Sequence, residues 1–460
     1  MAPVTPRIAA SVVLLRRNAN DDIEILWVRR APTLRVLGGF HTYPGGTANA
    51  DDGPAGSDEA IRHAAVRELA EEVSVTVDPA TLIPAGRWVT PEFSPFRYDT
   101  HFFLAWANDA QVTAVRLCEG GELDACEWIR PADAIARWER GDVLLAPPTL
   151  HVLQSLAPGW TGAVERLYAT PEAGGAPAGR IEMRKGVLLL PLCAPTLPPF
   201  THTNCFIVGG ADIVVVDPGS PYDEEQTKLH TFVEALLREG RTLRAVLLTH
   251  YHGDHVGGAA AFRARFGTRV FAHAETAKRL DAGVVDDVIP DAHTFALDGA
   301  GGFRLRSLFT PGHAPGHFTF LEETTGTLLA GDLLAGVGTV IVPPPPDGDM
   351  GEYIASLKRV RDVAASVIFP AHGPIITNPR GHIDQVIRHR ELREAQILAA
   401  IGDGAWSLDD LTSAVYTDVP ATMHRFAKVS LKAHLMKLER DGRATHDGEV
   451  WRRAPIALPG

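Results

Sequence analysis

Apolar residues follow two different rhythms along this chain, and the changes between them divide it. In the first third, short apolar or alternating runs, RIAASVVLL from Arg7, IEILWV from Ile23 and THFFLAWA from Thr100, read as strands. They surround one stretch with helical spacing, Glu59 to Glu72, and a second helical patch follows Trp128. Residues 169–180, ATPEAGGAPAGR, hold Ala, Gly and Pro without a large apolar side chain, which is the composition of a linker. From Gly186 the pattern restarts with GVLLLPL, NCFIVGG and DIVVVDPG, then a helix-like EEQTKLHTFVEALLREG and the strand LRAVLLTH. Strands and helices alternate to about residue 370, the pattern of helices packed outside sheets. The last segment differs again: SLDDLTSAVY and ATMHRFAKVSLKAHLMKLERDG are helical, and RATHDGEVWRR holds an Asp-Gly pair between short strand-like runs. Two helices and a hairpin predict a small winged-helix unit, and no internal repeat is visible.

Length then sets the number of cores. At 460 residues the chain is too long for one ordinary domain, and two or three compact units are expected. Its 45% apolar and 22% charged residues are the balance of a globular protein. The run IAASVVLL at 8–15 is shorter than a membrane span and is followed by two arginines, so no membrane association is expected. Four cysteines form no CxxC pair, which fits buried free thiols in a reduced, cytoplasmic compartment. The net charge of −12 excludes a strongly basic nucleic-acid binder, although a local basic face is still compatible with it.

The densest chemistry lies in LLTHYHGDHVGG, where His250, His252, Asp254 and His255 follow directly on an apolar strand. Imidazole and carboxylate are the donors that suit divalent zinc at a catalytic site, as opposed to a closed thiolate site. More such residues recur at later strand ends: His313 and His317 in TPGHAPGH, Asp332 in LLAGDLL and His372 in FPAHGP. This series resembles the metallo-β-lactamase superfamily over roughly residues 185–380, with VVVDPG around Asp217 matching an earlier strand motif. The resemblance implies two zinc ions, one held by His250, His252 and His313, the other by Asp254, His255 and His372, with Asp332 between them and Asp254 also catalytic. His317 is assigned to packing or support of the ligands.

Classical zinc β-lactamases carry Cys where this chain has Asp332, and only 40 positions (372 − 332) separate the last two ligands, which fits poorly with the nucleases that carry a large insertion there. Glyoxalase-II-like thioesterases, lactonases and β-lactamase-like endoribonucleases remain. The stretch from GVGTVIVPPPPDGDM to HRELREAQIL looks most like the endoribonuclease group, which also carries a C-terminal winged helix.

A second constellation occupies 53–75. Glu68, Glu71 and Glu72 stand at i, i+3 and i+4, so a helix places three carboxylates on one face, where a hard cation relieves their repulsion. With Gly53, Glu59, Arg67, Leu69 and Val75 they resemble the Nudix box, downstream of YPGG at 43–46. The likeness implies magnesium or manganese, Glu68 and Glu72 in catalysis, and Arg67 holding Glu59 or Glu71. Ser74 replaces the final glycine of the box, which predicts a costlier or differently shaped helix exit. Arg35, Gly39 and Tyr43 are spaced as in the coenzyme A diphosphatase branch, implying hydrolysis of a pyrophosphate in coenzyme A or a related nucleotide.

On the last helical stretch Arg425, Lys428 and Lys432 share one face, and Phe426, Val429, Ala433 and Met436 another. The basic face could touch single-stranded RNA. The neutral balance of residues 381–460 favours a docked helix that shapes the zinc cleft or a dimer interface.

The expected molecule is an α/β multidomain hydrolase: a Nudix α/β/α sandwich (1–168), a linker (169–180), a metallo-β-lactamase αββα sandwich (181–380) and a winged helix (381–460). Its zinc half would cleave a phosphodiester, ester or thioester. Alternatively it is a thioesterase or lactonase acting on acyl-CoA, or one domain is only a binding module. Oligomeric state is left open.

Overall fold

A computed structural model describes residues 4–298 and 302–455, and the chain divides into two compact units between Leu190 and Pro191. In the first unit the strands run in the order His41–Thr42, Ile23–Arg30, Arg7–Arg17, Tyr98–Trp106, Ile83–Val89, with Gly45–Thr47 also paired to Arg7–Arg17 and Leu123–Ile129 to Ile23–Arg30. Alternation along the central strand explains the layering. Ala10, Val12 and Leu14 face Ile61, Ala65 and Leu69 of the helix Asp58–Val73, while Val13 and Leu15 face Trp138, Val152 and Leu156 of the helices Pro131–Glu139 and Pro147–Leu156. A strand buried on both faces reads as a continuous apolar run, which is what RIAASVVLL shows.

The expected linker at 169–180 instead belongs to this unit. Its turn Pro171–Ala173 buries Ala173, and Gly174 bridges to Arg87 on the strand Ile83–Val89. Small residues allow close backbone packing, so the absence of large side chains did not signal a free tether.

The second unit is built on two sheets. One carries Asp287–Val288, Val270–Ala272, Thr242–Leu247, Asp212–Val216 and His202–Gly209 in that order, and the chain enters it through Val187–Cys193. The other runs Thr294–Ala296, Arg304–Phe309, Phe318–Glu322, Thr327–Leu329, Val367–Phe369. Ring pairs Phe206–Phe369 at 5.8 Å and Phe271–Phe295 at 5.3 Å join the two faces. The helices Met350–Val363 and Pro379–Ile401 cover the second sheet through Leu357, Val360, Ile383 and Ile387, packed on Leu308, Leu328 and Ile368.

The end of Pro379–Ile401 also seeds the winged helix, where Ile397 and Ile401 pack with Leu411 of Leu408–Val415, Leu431 and Leu435 of His424–Arg440, and Trp451 of the hairpin Ala444–His446 and Trp451–Arg453. The apolar face of His424–Arg440 is rotated from the expected one: Ala427, Leu431, Leu435 and Leu438 are buried with Ala433, whereas Phe426 and Val429 stay half-buried. Two cores, one on the hairpin side and one shared with the second sheet, draw on different faces of this helix. Among the described residues no helix is long and apolar enough to cross a membrane, and all four cysteines are free.

A candidate metal centre and a carboxylate helix

Seven ligand candidates of the second unit converge from four strand ends. His250 and His252 follow Thr242–Leu247, and the next turn, Gly253–Val256, presents Asp254 and His255. His313, Asp332 and His372 follow Arg304–Phe309, Thr327–Leu329 and Val367–Phe369. Ligand atoms of His250, His252 and His313 lie within 4.8 Å of one another, as do those of Asp254, His255 and His372, and those of His250, His255 and Asp332.

Two aspects of this geometry point to cations. His252 Nδ1 approaches His250 Nε2 to 2.8 Å and His313 Nε2 to 2.9 Å, a convergence of nitrogen lone pairs that suits a shared positive ion. Nε2 of His255 and of His372 are buried without a hydrogen-bond partner, an arrangement that is costly unless something else meets them. Asp332 stands between the two groups: Oδ1 is 3.5 Å from His255 and 3.3 Å from His372, and Oδ2 is 3.5 Å from His313.

The far ring nitrogens are anchored, which fixes which nitrogen faces inward. His313 Nδ1 donates to the Ile341 carbonyl at 2.8 Å, His372 Nδ1 to the His202 carbonyl at 3.1 Å, and His255 Nδ1 meets Asp217 Oδ2 at 2.8 Å. Asp217, at φ 52, also accepts from the Thr249 amide (2.8 Å) and hydroxyl (2.6 Å), tying the strand end Asp212–Val216 to the histidine loop. His317 is engaged elsewhere: its Nε2 accepts from the Asp332 amide at 3.0 Å and its Nδ1 pairs with Thr310 at 2.9 Å, so it supports the Asp332 turn.

Charge is arranged to match. Burial, and then the neighbouring His313, lowers the His252 pKa to about 3, leaving a neutral imidazole. Against its own burial, Asp332 is held well below the carboxylate range by His372 and His255. Burial likewise opposes the rise of His255, which the carboxylates of Asp332, Asp254 and Asp217 nonetheless impose. Neutral imidazole and ionised carboxylate are the ligand forms, which His252 and Asp332 already take, whereas His255 must release a proton to meet a cation.

In the first unit Glu68, Glu71 and Glu72 share the face of Asp58–Val73 next to the strand Gly45–Thr47, but their oxygens do not close into a group as tight as that above. Arg67 organises them. Its Nη1 reaches Glu68 and Glu71 at 3.0 Å each, while Nε and Nη2 clasp Asp52 at 2.8 and 3.0 Å. Of the two partners expected for Arg67, Glu71 is found and Glu59 is not: Glu59 is exposed on the first helical turn. Asp52, buried in the insertion after YPGG, takes its place. The only signal for Asp52 in the sequence was an acidic pair in an insertion.

The glycine pair fits the carboxylates closely. Gly45 N–H donates to Glu72 Oε2 at 2.9 Å, and a Cβ on Gly46 would lie 2.3 Å from Glu68 Oε1. Burial pushes the Glu72 carboxyl up to about 7 against the Gly45 N–H, with the Glu68 charge adding to the rise. Gly53 adopts φ 136 directly after the turn Ala50–Asp52, and Ser74 caps the C-terminal end of Asp58–Val73 at φ 61 with its N–H on the Ala70 carbonyl, the same left-handed exit a glycine would make.

Comparison with known proteins agrees with this architecture. Residues 198–372 match the metallo-beta-lactamase superfamily, 5–146 the NUDIX domain, and 407–451 the beta-lactamase associated winged helix domain. The chain is 32% identical over 269 residues to a beta-lactamase-like protein 2 homolog of Drosophila melanogaster, covering 55% of this chain and 87% of that protein. It is 30% identical over 257 residues to an atrochrysone carboxyl ACP thioesterase of Aspergillus fumigatus, covering 52% of this chain and 76% of that one. A beta-lactamase domain protein from Burkholderia ambifaria shares the fold, with a TM-score of 0.53 at 20% identity over 60% of this chain and 94% of its own. The chain thus belongs to the metallo-beta-lactamase superfamily, as a hydrolase that carries a NUDIX domain ahead of its metallo-hydrolase domain and a beta-lactamase-associated winged helix behind it.

Proposed function

We propose that the second unit is a dinuclear zinc hydrolase that opens thioesters on a pantetheine arm, such as acyl-CoA, and that the first is a magnesium- or manganese-dependent pyrophosphatase of coenzyme A or a related nucleotide. The observation that carries the zinc reading is the convergence of seven buried or half-buried ligands with two orphaned imidazole nitrogens at its centre. His250, His252 and His313 would hold one ion, Asp254, His255 and His372 the other, with Asp332 shared. Two such ions, when bound, acidify a water and polarise the bond under attack. Asp254, ionised and 15% exposed, is in this reading the carboxylate that orients the incoming water and receives its proton. In the first unit Glu68 and Glu72 would hold the cation, with Arg67 keeping Glu71 in place.

The thioester choice is supported by the similarity to an acyl carrier protein thioesterase and by the coenzyme A diphosphatase-like spacing of Arg35, Gly39 and Tyr43. Single-stranded RNA is the competing substrate. Against it, Lys428, one of the three cations of the basic face, is paired with Asp409 at 2.5 Å, so part of that face is already neutralised.

The test is mass-spectrometric analysis of acetyl-CoA incubated with the zinc- and magnesium-loaded protein beside Glu72→Ala and Asp254→Ala. Free CoA that disappears in Asp254→Ala supports the thioesterase, and phosphopantetheine fragments that disappear in Glu72→Ala support the diphosphatase. Intact acetyl-CoA together with cleaved RNA would overturn the reading in favour of a phosphodiesterase.

A further inference from the structure

We infer that the winged-helix end of the chain is a positioning arm of the metal centre, acting through two arginines, Arg390 and Arg440, that grip the segment 339–349 behind His313 and Asp332. The inference rests on the metal reading above.

Arg390, on the helix Pro379–Ile401, is 3% exposed. A buried guanidinium needs good partners, and an interior arginine is expensive to keep without a specific task. Its Nη2 donates to Thr339 Oγ1 at 2.9 Å and to the Val340 carbonyl at 2.6 Å, and its head lies 5.2 Å from the centre of the Tyr353 ring. The next carbonyl, that of Ile341, accepts the His313 Nδ1 hydrogen at 2.8 Å. Tyr353, fully buried, donates from its hydroxyl to the Leu333 carbonyl at 2.9 Å, one residue past Asp332. Arg390 thus sits one step from the support of two ligands.

Arg440 approaches the other end of the segment. From the helix His424–Arg440 it holds Asp349 at 2.7 and 2.6 Å. Asp349, 7% exposed, caps the helix that carries Tyr353 by accepting from the Glu352 amide at 3.0 Å, and its own amide donates to the Gly312 carbonyl at 2.7 Å. Gly312 precedes His313. A Cβ there would fall 2.3 Å from the Tyr353 backbone, so the ligand loop and this helix leave each other no slack.

Both arginines therefore act through backbone groups on the imidazole and carboxylate that the metal reading places at and between the two ions. Groups that hydrogen-bond a metal ligand directly commonly change metal affinity about 10- to 100-fold when lost, and the two arginines hold the backbone next to such groups, so the lower end of that range is expected. Neither arginine was singled out in the sequence for this purpose, because the contact joins residues roughly fifty to ninety positions apart.

The experiment is competition of the zinc-loaded full-length protein with a chelator of known affinity, for the wild type, Arg390→Ala, Arg390→Lys, Arg440→Ala and Arg452→Ala, with circular dichroism on each. Arg452 lies on the hairpin, pairs with Asp447 and serves as the control. Expected are at least 10-fold weaker zinc binding in Arg390→Ala, weakening in Arg440→Ala, partial rescue in Arg390→Lys, and no change in Arg452→Ala. Folded Arg390→Ala and Arg440→Ala that hold zinc like the wild type would overturn the arm. If Arg390→Ala does not fold, Arg440→Ala, whose side chain is half exposed, decides alone. A wild type that holds no zinc would remove the metal reading itself, and the arm with it.

Discussion

Ser74 makes the left-handed helix exit, φ 61, that a glycine makes without strain. The substitution visible in the sequence therefore changes the energy of the turn and leaves its shape intact, and Ser74→Gly is expected to stabilise the first unit by about 0.5 to 1 kcal/mol, read from urea denaturation. His41 supplies one pH-dependent contribution to the stability of the first unit, separated from that of Glu72 by comparison with His41→Gln. The His41 ring lies 4.4 Å from that of Trp27, tilted by 36°, its Nδ1 is buried without a partner, and burial followed by the Arg29 charge lowers its pKa to about 4. Well above a pH of about 6.5 neither folded nor unfolded His41 is charged and its contribution is complete. As pH falls from there toward 4 the unfolded chain alone takes up the proton, so stability drops by about 1.4 kcal/mol per unit. Between pH 7 and pH 5 the first unit should lose about 2 kcal/mol more than His41→Gln does, and equal losses in both proteins would refute this assignment.

The element scale separates roles that look alike in the sequence. YPGG presents two adjacent glycines, yet a Cβ on Gly45 would meet the Ala10 carbonyl at 2.3 Å, rigid backbone, whereas one on Gly46 would meet the carboxylate of Glu68. Gly45→Ala should lower the melting temperature. Gly46→Ala should fold normally and lose magnesium-dependent turnover on the order of 100-fold, because a displaced carboxylate spoils geometry more than stability. Elements themselves were readable where one rhythm ran long. The helix expected from Glu59 to Glu72 is Asp58–Val73, and the expected strands of both units appear with small changes at their ends. On the last helix the expected apolar face was rotated, since Leu431 and Ala433 serve two different cores and a single-stripe pattern does not describe them.

At the scale of the molecule, the division into two compact units predicts two melting transitions. Zinc should raise the transition of the second unit alone, and Asp332→Ala should abolish that rise, because only the folded ligand set binds the ion. A chelator should return the loaded protein to the lower value. A single transition that zinc and magnesium both move would contradict independent folding of the two units, and is checked by calorimetry with each metal in turn.

The order and types of the ligand candidates, the acidic face of Asp58–Val73 and the family resemblances were legible in the sequence, because local spacing dictates which side chains one loop or one helical face can present together. The tertiary structure alone decided which distant groups meet. It chose Asp52 over Glu59 as the partner of Arg67, set Asp332 between His313 and His372, and brought Arg390 behind His313. It also absorbed the Ala/Gly/Pro stretch at 169–180 into the first unit. Such contacts depend on how whole layers pack, and that packing is a property of the assembled core that no local run of residues records.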